Sequence, residues 1–115
     1  MNEIDVLRDK LRVFAADRDW DQFNSPKNLS MALAVEAAEL LEPFQWLSEA
    51  QSQNLSPEAL AAVREEMADV LLYLIRLADK LNIDLIDAAH RKMLRNAVKY
   101  PVDKARGSSK KYTEL

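Results

Sequence analysis

The sequence contains no cysteine, a single glycine and a single histidine among its 115 residues, and each scarcity removes a class of protein. Without thiols there is neither a disulfide framework nor a thiolate nucleophile, a composition that fits a cytosolic chain. One glycine is poor provision for a sheet protein full of tight turns, and the expected fold class is all-α. Carboxylate-bridged di-iron bundles need paired Glu-x-x-His motifs, and no such pair exists. His90, with no second histidine or acid at ligand spacing, reads as a partly exposed residue of the last helix. Neither a Gly-x-Ser-x-Gly elbow nor a P-loop is present. The net charge of −3 is too small to call for nucleic acid or a membrane surface as partner. No run approaches the roughly 18 apolar residues of a membrane span, and "MNEIDVLRDK" lacks the basic and apolar regions of a secretory signal. The expected location is the cytoplasm.

What is present is amphipathic helix. At 115 residues, 49% hydrophobic and 30% charged, the chain is expected to be a single domain over 1–115, with 102–115 as a C-terminal tail. Ile4, Leu7, Leu11 and Phe14 make one apolar stripe on a first helix that ends near "DRDWDQF". After the turn-like cluster "NSPKN", a second helix is expected from about Leu29 to at least Glu42, where Pro43 stops or kinks it. "SEAQSQNLS" reads as a connector, and Ser56-Pro57-Glu58 as a helix start. The third helix runs to about Lys80, and a fourth, capped by Asn82 or Asp84, runs to about Tyr100 before Pro101. The third helix is apolar nearly all round, including Val70 to Ile75, more than a small monomer readily hides, so a homo-oligomer is expected.

Acids interrupt two of these apolar faces. At 100° per residue, Leu29, Ala32, Leu33, Glu39, Leu40 and Pro43 point the same way as Glu36. Ala59, Ala62, Val63, Asp69, Val70, Tyr73 and Leu77 share the direction of Glu66. An acid on a helix is ordinarily solvated, but these four have apolar neighbours. If the two helices pack antiparallel, the pairs face each other, each spanning about 4.5 Å of axis. Two like charges 4 Å apart repel by about 4 kcal/mol at an effective dielectric near 20, so the cluster calls for a counter-charge. An all-oxygen donor set favours Mg²⁺, Mn²⁺ or Ca²⁺ over zinc or copper.

Glu36-x-x-Glu39 followed by Glu66-x-x-Asp69 resembles the signature of the MazG-like all-α nucleoside triphosphate pyrophosphohydrolases. The similarity to their dCTP pyrophosphatase branch extends over most of the chain, through "FAADRDWDQF", "ELLEPFQW", "EEMADVLLYL", the "KM", "N" and "YP" of the fourth helix, and "SSKKYTEL". This resemblance implies a helical bundle of the all-α pyrophosphatase type that cleaves a deoxynucleoside triphosphate between the α and β phosphates. The implied substrate is dCTP or a modified dCTP, with Glu36, Glu39, Glu66 and Asp69 as catalytic Mg²⁺ ligands and Mn²⁺ as a possible substitute. Broader dNTP specificity, or dUTP, is the enzymatic alternative, and a helical metal-binding interaction module the non-enzymatic one.

By the same resemblance, Trp20, Asp21, Gln22, Phe23, Asn24, Trp46 and Tyr73 are the base and sugar positions. Aromatic faces stack a nucleobase for about 1 to 3 kcal/mol each, and amides read its edge. Lys92, Asn96 and Lys99 share a helix face with Tyr100 beside it, and by resemblance contact phosphate, as does Lys111 in the tail. Animal-type dCTP enzymes carry histidines where this chain has Leu11 and Asn24, near the expected base pocket, and an aliphatic residue where it has Pro43. The resemblance further implies a homotetramer, a dimer of dimers.

Overall fold

The computed structural model describes residues 1–115, and all its regular elements are helical: α1 (Glu3–Asp17), α2 (Pro26–Leu41), α3 (Glu49–Ser52), α4 (Pro57–Lys80), α5 (Leu85–Lys99), α6 (Val102–Ala105) and a 3-10 turn over Tyr112–Glu114. Side chains start the main helices by accepting from backbone N–H groups that have no intrahelical partner. Asn2 and Asp5 form a reciprocal capping box on α1, Ser25 caps α2, Ser56 caps α4 and Asp84 caps α5.

Two starts differ from expectation. Helix α2 begins at Pro26 rather than near Leu29, because Ser25-Pro26 is the same capping hydroxyl followed by an N1 proline as Ser56-Pro57. The connector after Trp46 holds α3, a single turn made possible by the capping box of Ser48 and Gln51. Of the two candidate caps for α5 it is Asp84 that accepts, from Asp87 N at 3.0 Å. The segment expected as a tail carries α6 and the 3-10 turn.

A chain with so little glycine must end its helices otherwise. Asp19 (φ 53°) and Asn82 (φ 54°) adopt the left-handed conformation in its place, the two residue types beside glycine that enter it most readily. After α1, Trp20 N donates to Ala15 O at 2.9 Å and Asp19 N to Ala16 O at 3.1 Å. After α4, Ile83 N donates to Ala78 O at 2.9 Å and Asn82 N to Asp79 O at 3.2 Å. Both are Schellman closures, which turn the chain sharply and fix the residue that follows. The residue so fixed after α1 is Trp20.

The chain divides into two compact units, Met1–Ile83 and Asp84–Leu115. In the first, α2 packs along α4, and α1 lies against α4 as well. Ala15, Leu29, Val63, Ile75 and Ala78 are its buried apolar residues. Burying a leucine or isoleucine contributes about 1.5–3 kcal/mol, so Leu29 and Ile75 carry much of a thin core. Arg12 clamps α1 to α4 through both oxygens of Asp79, its Nε donating to Oδ2 at 2.8 Å and Nη2 to Oδ1 at 2.5 Å. Apolar side chains remain exposed in rows: Met31, Val35 and Leu41 on α2, and Leu60, Met67, Leu71 and Leu74 on α4. In the second unit α5 buries no residue, and its histidine, His90, is exposed. There the Tyr112 ring sits edge-on to Tyr100 at 6.1 Å, with Lys99 Nζ over its face at 4.8 Å. No helix is long and apolar enough to cross a membrane.

Candidate functional site

The shared stripes predicted around Glu36 and Glu66 are the faces along which α2 and α4 meet. Around Glu36, Leu29 is buried and Ala32, Leu33, Glu39, Leu40 and Pro43 are part-buried. Around Glu66, every stripe member is buried or part-buried except Ala62, which is exposed. Carboxylate oxygens of Glu36, Glu39 and Glu66 lie within 4.8 Å of one another. Asp69 follows Glu66 by one turn on the same stripe of α4.

Two oxygens of this cluster, Glu36 Oε2 and Glu66 Oε2, are shut off from solvent and have no hydrogen-bond partner. A buried acceptor left unmade costs free energy, and a buried charge costs more unless it is paired or ligates a cation. Burial accordingly pushes the Glu36 carboxyl up to about 7, and Glu66, Glu39 and Asp69 act in the same direction. Burial raises Glu66 too, with the neighbouring Glu36 carboxyl opposing the shift and the Glu39 and Asp69 charges reinforcing it. An all-oxygen donor set with two unsatisfied buried oxygens fits a hard divalent cation, which would remove both penalties at once.

Asp69, which is not among the three acids so gathered, lines a second feature, a cavity of about 390 Å³ in the first unit. Its walls include Leu7, Leu11 and Phe14 from α1, Trp20 and Asn24 from the loop after it, and Tyr73 and Arg76 from α4. Asp69, Tyr73 and Arg76 stand at i, i+4 and i+7, one stripe of a single helix. The loop is built locally from its sequence. The Schellman closure presents Trp20, whose ring meets Phe14 edge-on at 5.6 Å, while the Arg18 guanidinium covers the Phe14 ring at 3.6 Å. Gln22 Nε2 donates to Asp19 Oδ2 at 2.9 Å and to Asp19 O at 3.1 Å. Phe23 N donates to Trp20 O and Asn24 N to Asp21 O. A largely apolar chamber with an aromatic edge and a few polar groups suits a flat heteroaromatic ligand.

The remaining residues singled out from the sequence are distributed as follows. Asp21 is engaged by Arg76 Nη2, and by Lys80 Nζ at 3.2 Å, cations that hold its carboxyl below the usual range, Lys80 first. Phe23 is 61% exposed and Trp46 86% exposed, so neither lines the cavity within this chain. In the second unit Lys99 and Tyr100 gather around Tyr112, and Lys92, Asn96 and Lys111 are exposed. Sequence reasoning missed Phe14, Leu7 and Arg76 as cavity walls. The apolar stripe of α1 was the available signal, but a stripe that packs and a stripe that lines a chamber have the same period.

Three comparisons bear on this arrangement. The model of the MazG-like family matches residues 31–115. The chain is 49% identical over 104 residues to dCTP pyrophosphatase 1 of Rattus norvegicus and to that of Homo sapiens, covering 89% of this chain and 61% of each relative. It thus spans less than two thirds of the length of these curated relatives. A crystal structure of a pyrophosphatase from Archaeoglobus fulgidus superposes with a TM-score of 0.82 at 41% identity, covering 88% of this chain and 94% of that one.

Proposed function

The chain belongs to the MazG-like family, and from that premise we propose that it hydrolyses a deoxynucleoside triphosphate, dCTP or a modified dCTP, to the monophosphate and pyrophosphate, removing unwanted nucleotides from the cellular pool. The observation that carries this reading is the adjacency of two different sites along α4: Glu66 belongs to the acid cluster, and Asp69, one turn on, lines the aromatic chamber and helps raise the Glu36 carboxyl. A triphosphate needs a cation for its charge and a slot for its base, side by side. The names of the relatives, dCTP pyrophosphatase 1 and pyrophosphatase, support the same chemistry.

In this proposal Glu36, Glu39, Glu66 and Asp69 hold the cation, Mg²⁺ with Mn²⁺ as substitute. When bound, the cation screens the triphosphate, stabilises charge on the departing pyrophosphate and acidifies water. Trp20, Phe14 and Tyr73 provide the base-stacking walls, and the Asn24 amide offers both a donor and an acceptor to the base edge. A carboxylate of the cluster accepts the proton of the attacking water. Gln22 shapes the loop through Asp19. Phe23, Trp46, Lys92, Asn96, Lys99, Tyr100 and Lys111 are proposed as further base and phosphate contacts. We extend the proposal to a cytoplasmic homotetramer, a dimer of dimers, acting as one functional domain over 1–115, because exposed apolar rows on α2 and α4 call for cover. A chamber walled mainly by hydrocarbon and aromatic rings also favours a second reading, broad dNTP or dUTP hydrolysis, since every base has a face to stack.

The test is incubation of the purified protein with each nucleoside triphosphate, with Mg²⁺ or with chelator, and identification of products. dCMP with pyrophosphate is the expected result. Diphosphate with orthophosphate would contradict the bond assigned, and no turnover of any triphosphate would leave the chain a metal-binding helical module.

A further inference from the structure

Arg76 is buried, with only 6% of its surface exposed, on the cavity-lining stripe of α4. Its Nη2 donates to Asp21 in the loop, and its Nη1 lies 3.6 Å from Asp79. Its Nε–H is buried with no partner. Asp79 in turn is held by Arg12 of α1, and Asp21 by Lys80. Three elements therefore converge on two carboxylates and three cations.

As a stabilising device this is a poor choice. A buried guanidinium with an unsatisfied N–H carries a desolvation penalty, and an apolar side chain of similar volume often serves stability as well or better. What an ion pair supplies and an apolar contact does not is direction. Arg76 anchors the short loop at Asp21, between Trp20 and Asn24, the two loop residues on the cavity wall. It does so from the helix that carries Asp69 and Tyr73. We infer that Arg76, through Asp21, is a positioning residue that sets Trp20 and Asn24 against the base, and so tunes base selectivity without touching the reacting phosphates. This inference rests on the reading of the cavity as the base site.

Steady-state kinetics on dCTP, dTTP and dATP with Mg²⁺ test it, using Arg76→Met, Arg76→Lys, Asp21→Ala and the double variant Arg76→Met/Asp21→Ala, with Trp20→Ala as reference. The expected result is a KM for dCTP raised about tenfold in Arg76→Met and Asp21→Ala, with kcat within about threefold and the differences among bases compressed. Arg76→Lys should recover part of the loss, and the double variant should be no worse than either single one, because both remove one link. A merely structural role would lower the melting temperature and the active fraction while leaving KM and the order of bases unchanged, which overturns the inference. Asp21 is on the exposed loop, so its variant decides the matter even if Arg76→Met fails to fold. If Trp20→Ala raises KM and the Asp21 and Arg76 variants do not, the positioning role alone is lost. If Trp20→Ala also leaves KM and selectivity unchanged, the cavity reading falls, and the inference falls with it.

Discussion

Cation binding to the acid cluster should release protons in a pH-dependent amount that the structure specifies. Without a cation the Glu36 carboxyl is pushed up to about 7, chiefly by burial. A carboxyl with that midpoint is about 90% protonated at pH 6, about half at pH 7 and about 10% at pH 8. A ligand carboxylate must be deprotonated, so Mg²⁺ should displace about 0.9, 0.5 and 0.1 proton from Glu36 at those three values, with Glu66 adding to the total in the same sense. Titration calorimetry of the metal-free protein with MgCl₂, in pairs of buffers with different ionisation enthalpies, reads the number directly. The same shift governs stability. A carboxyl whose folded pKa is raised above the ordinary 4.5 binds its proton more tightly when folded. That contribution is complete below about pH 4.5 and is lost as pH rises through about 7, so the metal-free melting temperature should fall between pH 5 and pH 8, and Mg²⁺ should restore it most at the alkaline end. Glu36→Gln should remove most of the proton release and flatten the metal-free profile while abolishing turnover. No proton release at pH 6, or the same release in Glu36→Gln, would refute the account of a buried acid cluster relieved by a cation.

Four further outcomes follow from other parts of the fold. Ile75 is 2% exposed, and Ile75→Ala should cost about 2–5 kcal/mol in denaturant unfolding by leaving a cavity between helices. Ser25→Ala removes the acceptor for Asn28 N and should cost about 1 kcal/mol by the same assay. Arg12, first among its neighbours, holds the Asp79 carboxyl below its usual range, so its stabilisation is present above about pH 4 and lost as pH falls further; Asp79→Asn should shrink that acid-side loss in a melting profile. Met67, 58% exposed on α4, lies on the face proposed for assembly, and Met67→Glu should shift the particle to smaller size in light scattering, whereas an unchanged mass would place the interface elsewhere.

Much of this was legible beforehand for one physical reason: helical periodicity and capping are local. The stripe of Leu29, Leu33, Glu36, Glu39 and Leu40 follows from 3.6 residues per turn, and so does its counterpart around Glu66. Ser56-Pro57 marks the start of α4, and the identical signal at Ser25-Pro26 starts α2 three residues before the expected Leu29, inside a cluster whose composition reads as a turn. The all-helical composition of the chain and the pairing of acids one turn apart needed no coordinates.

What periodicity does not carry is the identity of the surface opposite each stripe. Leu7, Leu11 and Phe14 have the spacing of a packing face, yet with Trp20 and Tyr73 they wall a chamber. Along its own helix Arg76 is one charge among apolar residues. Its partner Asp21 is 55 residues away in the chain, and the Arg12–Asp79 clamp closes over 67. The primary structure by itself determined the four long helices, most of their ends and the direction of four acids. Only tertiary packing decided that Glu36, Glu39 and Glu66 share one small space and that Arg76 grips the loop bearing Trp20, because a charge acts through distance in space, which spacing along one helix does not define across two.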